Sequence, residues 1–155
     1  MSIGQNDSKP KPSARILLVD DNTHGLCARK RILEQLGYAV VAKSCPREAL
    51  NCFASEPFDL VITDYRMPGL DGSQLISHVR TTRADMPVVL ISGFADTLGL
   101  NEAVTGANAV IQKSAHEVPM MLRAVERLLE RGKSPRKPVA SQQSMMAARA
   151  TAGAV

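Results

Sequence analysis

Two hydrophobic patterns alternate along the chain. Short continuous apolar runs rich in branched residues occupy residues 16–19 (ILLV), 60–64 (LVITD) and 87–91 (PVVLI), with weaker ones at 38–42 and 109–112. Runs of that length and character fit parallel strands covered on both faces. Between them the spacing changes to that of a helix. After a cap at Asp21 or Asn22, Leu26, Leu33 and Leu36 recur on one side until Gly37 stops the pattern. Ser44 and Pro46 open a second helical stretch to about Glu56, with Ala49, Leu50 and Phe53 turned inward. A third, at 72–82, carries Leu75, Ile76 and Val79. The fourth, at 94–108, contains Gly99, Thr105 and Gly106 and is the weakest. The last, at 118–131, sets Val118, Leu122, Val125 and Leu129 on one face and ends at Gly132. This alternation predicts a parallel α/β fold with right-handed crossovers and helices on both faces.

Composition narrows the class. The 155 residues, 45% apolar and without Trp, suffice for one domain with an aliphatic core. The pattern divides the chain into a disordered leader at 1–13, a body at 14–132 and a disordered basic, Ala-bearing tail at 133–155. No apolar run reaches the length of a membrane span and the first residues lack a signal-peptide core, so a cytoplasmic location and no membrane partner are expected. Cys27, Cys45 and Cys52 are odd in number and form no CxxC, which argues for reduced thiols. The formal charge of +4 sits in the flanks, mainly on Lys133, Arg136, Lys137 and Arg149, while the body is close to neutral. A nucleic-acid partner is therefore not expected. Within the body, the triplet Arg29-Lys30-Arg31 reads as the solvated side of the first helix.

The chemistry lies at the strand ends. The first, third, fourth and fifth runs finish on Asp20-Asp21, Asp64, Ser92 and Lys113. In a parallel sheet these ends share one edge, where ligands of open α/β folds bind. Each residue alone has a plainer reading, as a helix cap, a turn former or surface. Together, three acids repel and call for a cation. Carboxylates with a loop carbonyl and waters suit Mg²⁺. The remaining hydroxyl and ammonium match the oxygens of a phosphoryl group, with Asp64 as an in-line oxygen nucleophile.

The order DD, D, S, K, with MPGLDG after the central Asp, resembles the CheY-like receiver domain of two-component response regulators across about residues 14–132. The resemblance implies a flavodoxin-like five-stranded sheet of order 2-1-3-4-5. It implies that Asp64 is the phosphoacceptor and that Asp21, Asp64 and the backbone carbonyl of Arg66 hold Mg²⁺, with Asp20 helping directly or through water. Lys113 would pair with the phosphoryl group, and Ser92 would supply the hydroxyl that moves on phosphorylation. The implied role is a signalling module, not an enzyme. Its donor would be a sensor histidine kinase or a histidine phosphotransfer protein, and its output would be contact with a downstream protein. With no output domain after residue 131, the resemblance is to a stand-alone receiver. Arg66 and Phe94 fall where the family tunes hydrolysis of the aspartyl phosphate. The sequence departs from the family at Ser114, where Pro commonly follows the Lys, and at Val110, where an aromatic is usual. The alternative is an Asp-nucleophile phosphohydrolase on a related fold, but those resemble D-x-D after the first strand, whereas here the acids are adjacent and the nucleophile is on the third.

Overall fold

The computed structural model describes residues 13–133; of the leader expected at 1–13 and the tail expected at 133–155, residues 1–12 and 134–155 lie outside the described residues. Five parallel strands form one sheet in the order β2-β1-β3-β4-β5. They are β1 (Arg15–Val19), β2 (Ala39–Lys43), β3 (Leu60–Asp64), β4 (Val88–Ser92) and β5 (Ala109–Gln112). The helices are α1 (Thr23–Gln35), α2 (Pro46–Ser55), α3 (Gly72–Thr82), α4 (Ala95–Leu98), α5 (Glu102–Thr105) and α6 (Glu117–Lys133). No described helix is long and apolar enough to cross a membrane.

Alternation of side chains along each strand splits the core in two. Ile16, Leu18, Ile62 and Ile91 face α1 and α6, meeting Leu26, Leu33, Met121 and Val125. Leu17, Val19, Val61 and Leu90 face α2 and α3, meeting Ala49, Phe53, Leu75, Ile76 and Val79. Each fully buried Leu, Ile or Phe contributes about 1.5–3 kcal/mol relative to exposure. Because α1 leaves β1 toward one face and α3 leaves β3 toward the other, a crevice opens between the carboxyl ends of those neighbouring strands.

Three helical expectations are corrected. The fourth stretch is two single turns, α4 and α5. Gly99 at φ 63° and Gly106 at φ 78° take left-handed conformations that end each turn, and Asn101 caps the second by accepting from the Val104 N–H. In α1, Leu36 is exposed and the inward position between Leu26 and Leu33 is filled by Arg29, which is buried. In α6, the buried side is Met121, Ala124, Val125 and Leu128, next to the expected stripe and sharing Val125 with it; the helix passes Gly132 to Lys133.

The turn after β3 is locked to the sheet at Gly72. Its N–H donates to the Tyr65 carbonyl at 2.7 Å, and a Cβ there would lie 2.6 Å from the Asp64 carbonyl oxygen and 2.9 Å from the Tyr65 Cα. Both obstacles are backbone, so Gly72→Ala has to displace the end of β3. We expect a loss of about 2 kcal/mol in denaturant unfolding, typical of overpacking. Gly132→Ala, which meets nothing within 4 Å, should cost nothing measurable. Equal midpoints for Gly72→Ala and the unsubstituted chain would refute this close approach.

Candidate functional site

Each strand delivers its terminal group for a local reason. Asp20 follows β1 and is buried; its Oδ1 accepts from the Asn22 N–H at 2.9 Å, and Asn22 in turn caps α1 through the His24 and Gly25 N–H groups. Asp21 beside it is exposed. Asp64 closes β3, buried, with Oδ1 accepting from the Tyr65 N–H at 2.8 Å. Carboxylate oxygens of Asp20, Asp21 and Asp64 all lie within 4.8 Å of one another. Lys113 follows β5 and reaches across β4 to Asp64, with Nζ 3.2 Å from Oδ2. Ser92 ends β4, buried, its hydroxyl accepting from the Phe94 N–H at 3.0 Å and its carbonyl accepting from the Lys113 N–H at 2.9 Å. The structure thus gathers at one sheet edge every residue that the sequence placed there.

A cleft of about 450 Å³ lies beside the acids, lined by Asp21, Tyr65, Arg66, Met67, Pro68 and Asp71. Arg66 stacks on Phe94, its guanidinium carbon 4.0 Å from the ring centroid, and links the loops after β3 and β4. Val110 is half-buried on β5 and packs on the α2–α3 side of the core.

Burial, and next the charge of Asp20, push the Asp64 carboxyl above the usual carboxylate range; Lys113 and the Tyr65 N–H pull it down without cancelling the rise. Three crowded acids with one raised in this way are short of positive charge. Oxygen donors in that arrangement fit a hard divalent cation such as Mg²⁺.

Sequence reading missed one charged group. Arg29, assigned to solvent with its basic neighbours, instead places Nη1 2.5 Å from Asp20 Oδ2 and Nε 2.7 Å from Glu117 Oε1. Lys30 and Arg31 do lie at the surface or half-buried. The signal was in the helix phase, since Arg29 stands three residues after Leu26 and four before Leu33.

Residues 16–126 match the family model described as the response regulator receiver domain. The chain is 37% identical over 86 residues to the sensor histidine kinase GacS of Pseudomonas protegens, a match covering 52% of this chain and 9% of that protein. It therefore spans only a small part of that curated relative. Among solved structures, it resembles a CheY-like response regulator receiver domain protein of Methanospirillum hungatei with a TM-score of 0.70 and 30% identity, covering 79% of this chain and 99% of the other. It also resembles the response regulator TrrA of Thermotoga maritima, solved in complex with Mg²⁺ and BeF, with a TM-score of 0.67 and 28% identity over 74% of this chain and 98% of that one.

The raised Asp64 pKa carries a signed prediction. The folded chain holds this proton more tightly than the unfolded chain, so ionising Asp64 costs stability as pH rises from the ordinary carboxylate value through the folded one. Without divalent cations, Asp64→Asn should melt above the unsubstituted protein at pH 7, and the gap should close as pH falls through the carboxylate range. A variant that melts lower at pH 7 in thermal unfolding would contradict this reading of the electrostatics.

Proposed function

The chain belongs to the response regulator receiver domain family, and on that premise we propose that Asp64 is its phosphoacceptor. The observation that carries the reading is the convergence of Asp64 with two further carboxylates on one side and the Lys113 ammonium on the other. The donor in this reading is a phosphohistidine on a sensor histidine kinase or a histidine phosphotransfer protein in the cytoplasm. An Asp64 oxygen attacks phosphorus in line; the O–P bond forms as the N–P bond breaks, and the imidazole leaves to be protonated by solvent. Asp21, Asp64 and the Arg66 carbonyl, with Asp20 behind them, would hold Mg²⁺. Bound there, the ion would draw negative charge from the phosphoryl oxygens. Lys113, now paired with Asp64, is within reach of a phosphoryl oxygen once that carboxylate becomes an acyl phosphate. The Ser92 hydroxyl, which accepts one hydrogen bond from Phe94, retains a proton to donate.

We read the protein as an acceptor and not as a phosphohydrolase, with output through contact with another protein. The Arg66–Phe94 stack supports a slow return to the unphosphorylated state. Joined over 4.0 Å, the two side chains are bulkier than either alone beside the residue that water would have to approach in line.

Intact mass after incubation with acetyl phosphate and Mg²⁺ tests both points. The unsubstituted chain should gain one phosphoryl group and Asp64→Asn none. Uptake by both, or by neither, would sink the assignment. After acetyl phosphate is removed, the double variant Arg66→Ser, Phe94→Ser should lose its phosphoryl group about tenfold faster or more, as expected if roughly 1.4 kcal/mol of barrier is removed. Unchanged decay would leave the stack without this role, and continuous turnover of a generic phosphate ester would favour the hydrolase instead.

A further inference from the structure

Asp20 is buried, yet the phosphoacceptor reading assigns it only a supporting part. Both of its oxygens are engaged, Oδ1 by the Asn22 N–H at 2.9 Å and Oδ2 by Arg29 at 2.5 Å. Arg29 is itself 8% exposed, an unusual place for a guanidinium unless it is paired. Its second arm meets Glu117, the first residue of α6, 88 positions away in sequence. Glu117 lies four residues after Lys113, and its N–H donates to the Ser114 carbonyl at 3.2 Å, closing the loop between them. One guanidinium therefore touches the carboxylate on one side of Asp64 and anchors the loop that carries the ammonium on the other.

The helix makes room for this pair. Gly25 lies inside α1, where glycine costs about 1 kcal/mol relative to alanine. A Cβ at that position would lie 3.0 Å from Arg29 Nη1 and 3.3 Å from Asp20 Oδ2. The glycine gives the arginine access to the acid.

We propose that Arg29 is a positioning residue for the acidic site: it fixes Asp20, offsets its charge and anchors the Lys113 loop through Glu117, and so sets how tightly a divalent cation is held among Asp20, Asp21 and Asp64. The inference rests on the reading of this cluster as a cation-assisted phosphoacceptor. The charge balance gives it a sign. Removing the guanidinium leaves the cluster more negative. Removing the charge of Glu117 leaves Arg29 opposed by Asp20 alone and makes the cluster less negative.

Calorimetric titration of the metal-free full chain with Mg²⁺ alone reads this directly. Arg29→Met should bind Mg²⁺ about fivefold more tightly, and Glu117→Gln about threefold to fivefold more weakly, as expected for one unit charge acting over several ångströms in a partly solvated site. Arg29→Lys, which restores the charge with a single point of contact, should fall between the unsubstituted protein and Arg29→Met. A purely structural role would weaken binding in both Arg29→Met and Glu117→Gln. Weakening in both, tightening in both, or affinities within about twofold of the unsubstituted chain would overturn the proposal. If Arg29→Met does not fold, Arg29→Lys and Glu117→Gln decide together: tighter binding in the first with weaker binding in the second supports the proposal, and any other pairing, weakening in both included, overturns it. Failure of the unsubstituted chain to bind Mg²⁺ at all would bring down the proposed function as well, whereas normal binding with unresponsive variants removes this inference only.

Discussion

Three carboxylates, two of them buried, meet within 4.8 Å at the ends of two adjacent strands. Their mutual repulsion is the constraint on which the site's design turns. Two cations from distant parts of the chain offset it: Lys113 against Asp64 and Arg29 against Asp20. Neither cancels it, and the Asp64 carboxyl remains above its ordinary range through burial and the charge of Asp20. A site left short of positive charge favours what supplies it, a divalent cation; a phosphoryl group on Asp64 would add negative charge and deepen that need.

The fold creates this crowding through topology. In the order β2-β1-β3-β4-β5, β1 and β3 lie side by side while the helices that follow them leave to opposite faces. The crevice this leaves lies between Asp20-Asp21 and Asp64. The rest of the edge is tied down by short backbone contacts. Gly72 holds the turn after β3 against Tyr65, and the Lys113 N–H is fixed by the Ser92 carbonyl. Side-chain bonds extend this to the loop after β4, where the Gln112 amide donates to the Gly93 carbonyl at 2.8 Å and accepts from the Asp96 N–H. Beyond that point the single turns α4 and α5 carry the chain back to the start of β5, where the Arg80 guanidinium donates to the Gly106 carbonyl at 2.9 Å.

What was legible in the sequence follows from what short-range pattern encodes. The strands at 60–64 and 109–112 and the helix at 72–82 agree to the residue, because each is a continuous apolar run or a sharply capped period. Strands two and four begin one residue later than expected, where Tyr38 and Pro87 are apolar but lie before the ladder. The convergence of Asp20, Asp21, Asp64, Ser92 and Lys113 was readable because parallel strands all end on the same edge. The Arg29–Glu117 contact was not, since no local period records which loop folds over which helix. Arg29 also headed a basic triplet whose other members, Lys30 and Arg31, suggested solvent, although its phase in α1 pointed inward. In α6, Met121 and Ala124 weigh little on a hydropathy pattern, so the expected stripe lay one row from the buried one.

The central claim is that four strand ends build one phosphoryl-accepting site on Asp64. A crystal structure of the chain with Mg²⁺ and beryllofluoride tests it most directly, because the beryllium group occupies the position of a phosphoryl group on its acceptor. The account predicts beryllium bonded to an Asp64 oxygen, its fluorides contacted by Lys113 and the Ser92 hydroxyl, and Mg²⁺ on Asp21, Asp64 and the Arg66 carbonyl. Beryllofluoride seated on another residue, or Asp64 still paired with Lys113 and bare of it in crystals that contain Mg²⁺, would contradict the account.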